Sequence, residues 1–231
     1  MAQNVEKNAI ILFTRIPVPG KTKTRLQPFL TAGECCLLHH AFIRDIHQVL
    51  RETKTACDII VCYTPEGDLA DMETLLPAAC AFLPQRGLDI GQRMHNAMCS
   101  VLEKGYSRCL LVGSDLPLLR SEALDEAFCL LENRDIVLCP TEDGGYYLIG
   151  MKEPCEEVFH LLEYGVSTVF EKTLAAAAQC GKTCAAGAGT MDVDDCEDLL
   201  RLKERLESEE ASVCPETRTV LAELFRKGRM P

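Results

Sequence analysis

Apolar residues along the chain follow two periods. Short, nearly continuous apolar runs over 9–13, 58–63, 81–83, 110–112, 135–139 and 183–186 read as strands covered on both faces. Between them, apolar positions recur at helical spacing. Leu38, Phe42, Ile46 and Val49 mark a helix over 32–51, opened by a Thr31/Glu34 capping box. Shorter patterns predict helices over 69–76, from Gly91 (Met94, Ala97, Met98, Val101), and after a Ser121 cap (Leu124, Ala127, Phe128, Leu131). Another helix starts near Gly165–Thr168 and ends at Gly181. The last runs from Pro215 to Gly228, with proline in its first turn and glycine past its end. This alternation predicts an α/β fold with a mostly parallel, sandwiched sheet. One domain is expected, with a core over about 9–203 and a helical extension over 204–231.

The candidate chemistry sits where strands break off. Leu110–Val112 gives way to Gly113-Ser114-Asp115-Leu116-Pro117, which holds one carboxylate on a stiff turn at a strand's carboxyl end, where ligands of parallel sheets collect. Asp115 there suits Mg²⁺ or Mn²⁺ carrying phosphate oxygens, or simply caps the next helix. The first strand ends in a loop fixed by Pro17 and Pro19 and turned at Gly20, presenting Lys21, Lys23 and Arg25 together, as a di- or triphosphate requires. Gly20-Lys21-Thr22 matches the end of a Walker A loop, but Arg15 stands where that motif needs glycine. Asp143-Gly144-Gly145 before Tyr146 is either a hairpin turn or a place where Asp143 meets an acceptor hydroxyl and the glycines admit a substrate ring. Ser167 and Thr168 cap a helix or hold a sugar hydroxyl, and Gly87 and Gly91 are loop glycines or seats for a base or ribose. Asp192 and Asp194, two apart in an extended segment, share a face and can both point toward a cation held by Asp115. Asp195, Glu197 and Asp198 suit a helix start.

Composition narrows the field. The net charge of −11 argues against nucleic-acid binding, while the 17–26 loop still allows a local anion site. The apolar runs are too short to span a bilayer, and 1–7 lacks a signal-peptide core, so a cytoplasmic protein is expected. The 14 cysteines are scattered at strand and helix positions. Without Cys-x-x-Cys or His-Glu-x-x-His, and with no histidine near Cys180 and Cys184, no zinc site is expected.

Four motifs in order, Pro17-Val18-Pro19-Gly20-Lys21-Thr22-Lys23-Thr24-Arg25-Leu26, Gly113 to Pro117, Glu142 to Gly150 and Asp192-Val193-Asp194, resemble the bacterial DUF2064 family. That family groups with GT-A glycosyltransferases in the nucleotide-diphospho-sugar transferase superfamily. The resemblance implies a three-layer α/β/α sandwich and a metal-dependent glycosyl transfer from a nucleotide sugar to a small acceptor. More distant similarity is to nucleotidyltransferases, which use an NTP and release pyrophosphate; a non-catalytic nucleotide sensor is the third reading. Carried over, Pro19, Gly20, Lys21, Lys23, Arg25 and Gly91 look like the nucleotide site, with Lys23, Asp115 and Asp143 catalytic. Asp115, Asp194 and Asp192 look like ligands for Mg²⁺ or Mn²⁺. Asp143, Gly144, Gly145, Ser167 and Thr168 look like the acceptor side. The chain departs from the family where an aromatic is expected near Gly165-Val166, and Asp115 lies in Gly-Ser-Asp rather than Asp-x-Asp.

Overall fold

The structure, a computed structural model, describes residues 7–79, 81–160, 163–226 and 228. Its strands are β1 (Asn8–Thr14), β2 (Cys57–Tyr63), β3 (Ala81–Pro84), β4 (Arg108–Val112), β5 (Ile136–Pro140), β6 (Tyr146–Met151) and β7 (Cys184–Ala186). They form one sheet in the order β3-β2-β1-β4-β6-β5-β7. All pairings are parallel except those of β6, which runs antiparallel to both β4 and β5. The turn containing Asp143-Gly144-Gly145 therefore joins a β5–β6 hairpin. Around the sheet lie α1 (Ala32–Glu52), α2 (Leu69–Leu75), α3 (Ile90–Leu102), α4 (Ser121–Asn133), α5 (Val169–Gln179), α6 (Cys196–Ser208) and α7 (Pro215–Arg226).

Strand alternation sorts the core into layers. Ile10 and Leu12 of β1 join Ile43 and Ile46 of α1 and Phe128 of α4 on one face. Ala9 and Ile11 join Met94 and Met98 of α3 on the other, with Ala177 of α5. The result is a three-layer α/β/α sandwich. A third cluster packs the far side of α1, Leu38 and Phe42, against Leu199 and Leu202 of α6 and Leu221 and Leu224 of α7. The segment beyond residue 203 thus shares its core with α1. Asp45 of α1 reinforces this join, since its carboxylate accepts the Glu216 and Thr217 amides at 3.0 and 2.8 Å and caps α7.

The local signals mostly hold. Thr31 and Glu34 form the reciprocal capping box, and Asp195 pairs with Asp198 in a second one at α6. Two expected caps differ. Arg120 occupies the N-cap of α4 and Ser121 is already its first helical residue, bonded to Glu122. Thr168 caps α5 without a side-chain hydrogen bond, so that helix starts at Val169.

Candidate functional site

Parallel neighbours β1 and β4 end side by side, and the loops leaving them wall a cleft of about 560 Å³. After β1 the chain turns at Gly20, where φ is +83°, and again at Lys23, whose φ of 50° is left-handed. A lysine held there stores on the order of 1 kcal/mol of strain, of the kind found at functional sites. The turn is fixed from within, because buried Thr22 accepts the Val18 amide at 3.1 Å and Leu26 is fully buried. Lys21 and Arg25 consequently point to solvent while Lys23 points inward, its side chain only 5% exposed.

Three chain segments meet at that ammonium. Lys23 Nζ lies 2.7 Å from Asp115 Oδ1 and 3.9 Å from Asp194 Oδ1, and it donates to the Val193 carbonyl. The Val193 amide in turn donates to the Asp115 carbonyl at 2.9 Å, which draws the Asp192-Val193-Asp194 segment alongside the β4 turn. Arg25 closes the cluster on Asp194 at 3.1 Å. Burial pushes the Asp115 carboxyl up, but Lys23 and the His39 ring outweigh it and hold the group below its ordinary value. Asp194 moves the other way: burial raises it and Asp115 adds to this, against Lys23.

His39, on α1 behind Asp115, is 3% exposed; its Nδ1 is 3.6 Å from Asp115 Oδ1 and its Nε2 3.4 Å from Thr14 Oγ1. Burial lowers its pKa to about 4, against the pull of Asp115 and with Lys23 and His40 adding. Its ordinary pKa is 6.5. Between those values the unfolded chain binds a proton that the folded chain refuses, so stability falls on acidification through that window. In the presence of chelator, urea unfolding should show stability dropping between pH 7 and 5, with His39 accounting for on the order of 2 kcal/mol. His39→Asn should remove that component; an unchanged pH profile would contradict it.

The structure brings Lys21, Lys23, Arg25, Asp115 and Asp194 to one cleft, with Gly113 and Ser114 as expected. It separates the others. Pro19 and Gly20 shape the loop without lining the cleft, and Gly20 serves its positive φ. Gly91 is off the cleft lining, and a Cβ there would lie 2.2 Å from the Phe159 carbonyl oxygen, so its bareness serves helix packing. Gly91→Ala should therefore cost about 1–3 kcal/mol by overpacking, read from unfolding midpoints, while nucleotide affinity of the folded fraction stays unchanged. Gly144 is likewise taken up internally, its missing Cβ filled by the Ser167 carbonyl oxygen at 2.1 Å, and Gly145 backs onto Thr141 and Asp143. The side of each glycine where a Cβ would stand is thus taken up by the protein itself. Asp143 Oδ1 accepts from Thr141 Oγ1 and from the Gly145 amide at 2.9 Å, which closes the hairpin. Thr168 and Asp192 are also off the cleft lining. Burial, with Asp143 and Asp194 facing it, pushes Asp192 up to about 6.

Sequence reasoning missed Arg15, His39, Gln85 and Arg93, all of which line the cleft. Gln85 Nε2 is tied to the Thr14 and Cys62 carbonyls at 2.9 and 3.2 Å. These residues stand singly at element ends or in a helix, and no short motif marks them.

Fold and cleft together define a three-layer α/β/α sandwich with its candidate site at the carboxyl edge of parallel strands β1 and β4. The profile of a family described as an uncharacterized protein conserved in bacteria (DUF2064) matches residues 48–166. The crystal structure of a protein from Desulfovibrio desulfuricans G20, provisionally assigned as a nucleotide-diphospho-sugar transferase, matches with a TM-score of 0.86 at 31% identity over 95% of both chains. The chain belongs to the DUF2064 family. A 4-diphosphocytidyl-2C-methyl-D-erythritol synthase from Anaerococcus prevotii shares the fold at 10% identity and a TM-score of 0.57, over 87% of this chain and 96% of its own. So does a CMP:2-keto-3-deoxy-manno-octonic acid synthetase complexed with CTP, at 12% identity and 0.55, over 89% and 100%. These neighbours are named as enzymes, and at such identities the likeness is one of fold. No curated protein matches the chain in sequence. Among the described residues, no helix is long and apolar enough to cross a membrane.

Proposed function

We propose that the protein is a Mg²⁺- or Mn²⁺-dependent transferase that moves a sugar from a nucleotide-diphospho-sugar to a small acceptor. The observation that carries this reading is the Lys23–Asp115–Asp194 cluster at the carboxyl edge of β1 and β4. Mg²⁺ is commonly held by one or two carboxylates plus substrate phosphates, and the hard oxygens of Asp115 and Asp194 fit that pattern. Bound there, the ion supplies positive charge for the diphosphate leaving group. The chain's own cations share that task. Lys23 is already desolvated and aimed, so it stabilises developing negative charge with little reorganisation. Lys21 and Arg25, exposed and loosely paired, close on the phosphates from the solvent side.

In the transfer, the acceptor oxygen bonds to the anomeric carbon, the bond from that carbon to the diphosphate oxygen breaks, and the acceptor proton passes to Asp143, which lies off the cleft lining but beside Asp192, two residues from Asp194 at the cleft. Asp143 Oδ1 takes both turn hydrogen bonds. An amide oxygen keeps both, so Asp143→Asn should leave the melting temperature within a degree or two while lowering kcat by about 10²-fold or more. An unchanged kcat would remove Asp143 from the chemistry.

One observation favours a second reading, nucleotidyl transfer. Five cations, Arg15, Lys21, Lys23, Arg25 and Arg93, line the cleft, which suits a triphosphate. There a phosphorylated acceptor would attack the α-phosphorus and pyrophosphate would leave. Phosphorus NMR of reactions containing Mn²⁺ and either nucleotide sugars or NTPs with sugar phosphates separates the two. Nucleoside diphosphate supports glycosyl transfer and pyrophosphate supports the second reading. Nucleotide binding with neither product would point to a sensor.

A further inference from the structure

A second cluster of ligating side chains lies at the other end of the sheet. Met151 at the end of β6 pairs with Cys109 at the start of β4, whereas Asp115 follows the end of β4. Just past Met151, Cys155 precedes a short 3-10 turn over Glu156–Phe159, and Cys180 sits at the C-cap of α5. Cys155 Sγ, Glu157 and Cys180 Sγ offer ligand atoms that all lie within 4.8 Å of one another. Among the described residues this is the one such group of three.

We propose that Cys155, Glu157 and Cys180 form a binding site for a zinc-class cation, distinct from the cleft, with a fourth position open to water. The dimensions fit. Tetrahedral zinc with Zn–S of about 2.3 Å and Zn–O of about 2.0 Å places a thiolate and a carboxylate oxygen about 3.5 Å apart. Cys155 Sγ and Glu157 Oε2 are 3.5 Å apart. The two sulfurs lie within 4.8 Å of each other, and Cys180 is exposed. Two thiolates select zinc over the Mg²⁺ expected in the cleft.

The surroundings also suit a cation. Cys180 ends α5, where the last carbonyls leave partial negative charge. Glu157, at the start of the 3-10 turn after Cys155, presents a hard carboxylate oxygen to the same space. The Cys155 thiol donates to the Glu157 carboxylate at 3.5 Å. On binding, both thiols release a proton to solvent, the Cys155 S–H···O contact is replaced by bonds to the cation, and nothing is oxidised or reduced. The join ties the end of α5 to the turn after β6. Spacing in the sequence hides the site, because its two cysteines come from separate elements and the third ligand is a glutamate.

Cobalt titration of the reduced, metal-free full chain tests the proposal. One equivalent of Co²⁺ should produce thiolate-to-cobalt charge-transfer absorption with the d–d bands of a tetrahedral ion, and Zn²⁺ should displace it. Cys180→Ser, at an exposed position that the fold tolerates, should abolish the two-thiolate spectrum. Glu157→Gln should weaken binding about tenfold or more, within the loss typical of a changed metal-site group. Cys129→Ser, at another exposed cysteine, should change nothing. Zn²⁺ should raise the melting temperature of the parent chain but not of Cys180→Ser. Absence of saturable tetrahedral cobalt binding, or the same spectrum persisting in Cys180→Ser, would overturn the assignment.

Discussion

Replacing Lys23 with alanine should produce the largest combined loss of stability and activity of any single change in the cleft. The ammonium is 5% exposed and is the shared counter-charge of Asp115 and Asp194. It also binds the Val193 carbonyl, the anchor of the late-chain segment. Without it, two carboxylates face each other across a partly dry site. Breaking a fully buried pair costs about 3–5 kcal/mol. The carboxylates here are 37% and 45% exposed, so water screens part of that and about 2 kcal/mol is expected from urea unfolding. If the lysine also meets the phosphates, as the proposed function requires, kcat should fall by about 10²–10³-fold. Mn²⁺ should recover part of the lost stability in this variant, since a divalent cation can take the vacated place between the carboxylates. Full stability in Lys23→Ala would show that the ion pair does not join the segments.

Asp115→Asn should separate charge from shape. Asparagine keeps the volume and the backbone contact from the Val193 amide. The cost is the negative charge that balances Lys23 and that, on the proposed function, holds the ion. Activity should fall by about 10³-fold, and stabilisation by nucleotide should lose its dependence on Mn²⁺. The melting temperature without ligand should change less than the activity does, because Asp194 still faces Lys23. A variant with near-normal turnover and an unchanged metal requirement would remove Asp115 as a ligand.

Much of the fold is legible in the sequence, for physical reasons that vary by element. Apolar runs such as Ala9–Phe13 and the α1 stripe declare themselves because burial on two faces or one dictates their period. Asp115 and the basic loop were legible because strand-end chemistry is written locally in glycine, proline and charge. The direction of β6 was not. A run such as Tyr146–Met151 reads the same parallel or antiparallel, and only its pairing with β4 and β5 decides. Gly91 and Gly144 share a structural role that the sequence does not disclose. A glycine signals close approach, and here the approaching group is the protein's own Phe159 or Ser167 carbonyl. His39 was invisible because a histidine in an apolar helix face gains its meaning from Asp115, which arrives from a distant strand.

The central claim is that the cleft between the 15–26 loop and Asp115 holds the phosphates of a nucleotide-activated donor together with a divalent cation. Thermal shift of the parent chain and of Asp115→Asn, against nucleotide sugars and NTPs with and without Mn²⁺, tests it most directly. The account predicts a rise in melting temperature that requires both a nucleotide and Mn²⁺ and is lost in Asp115→Asn. A shift of equal size in the variant, or none with any nucleotide, would contradict it.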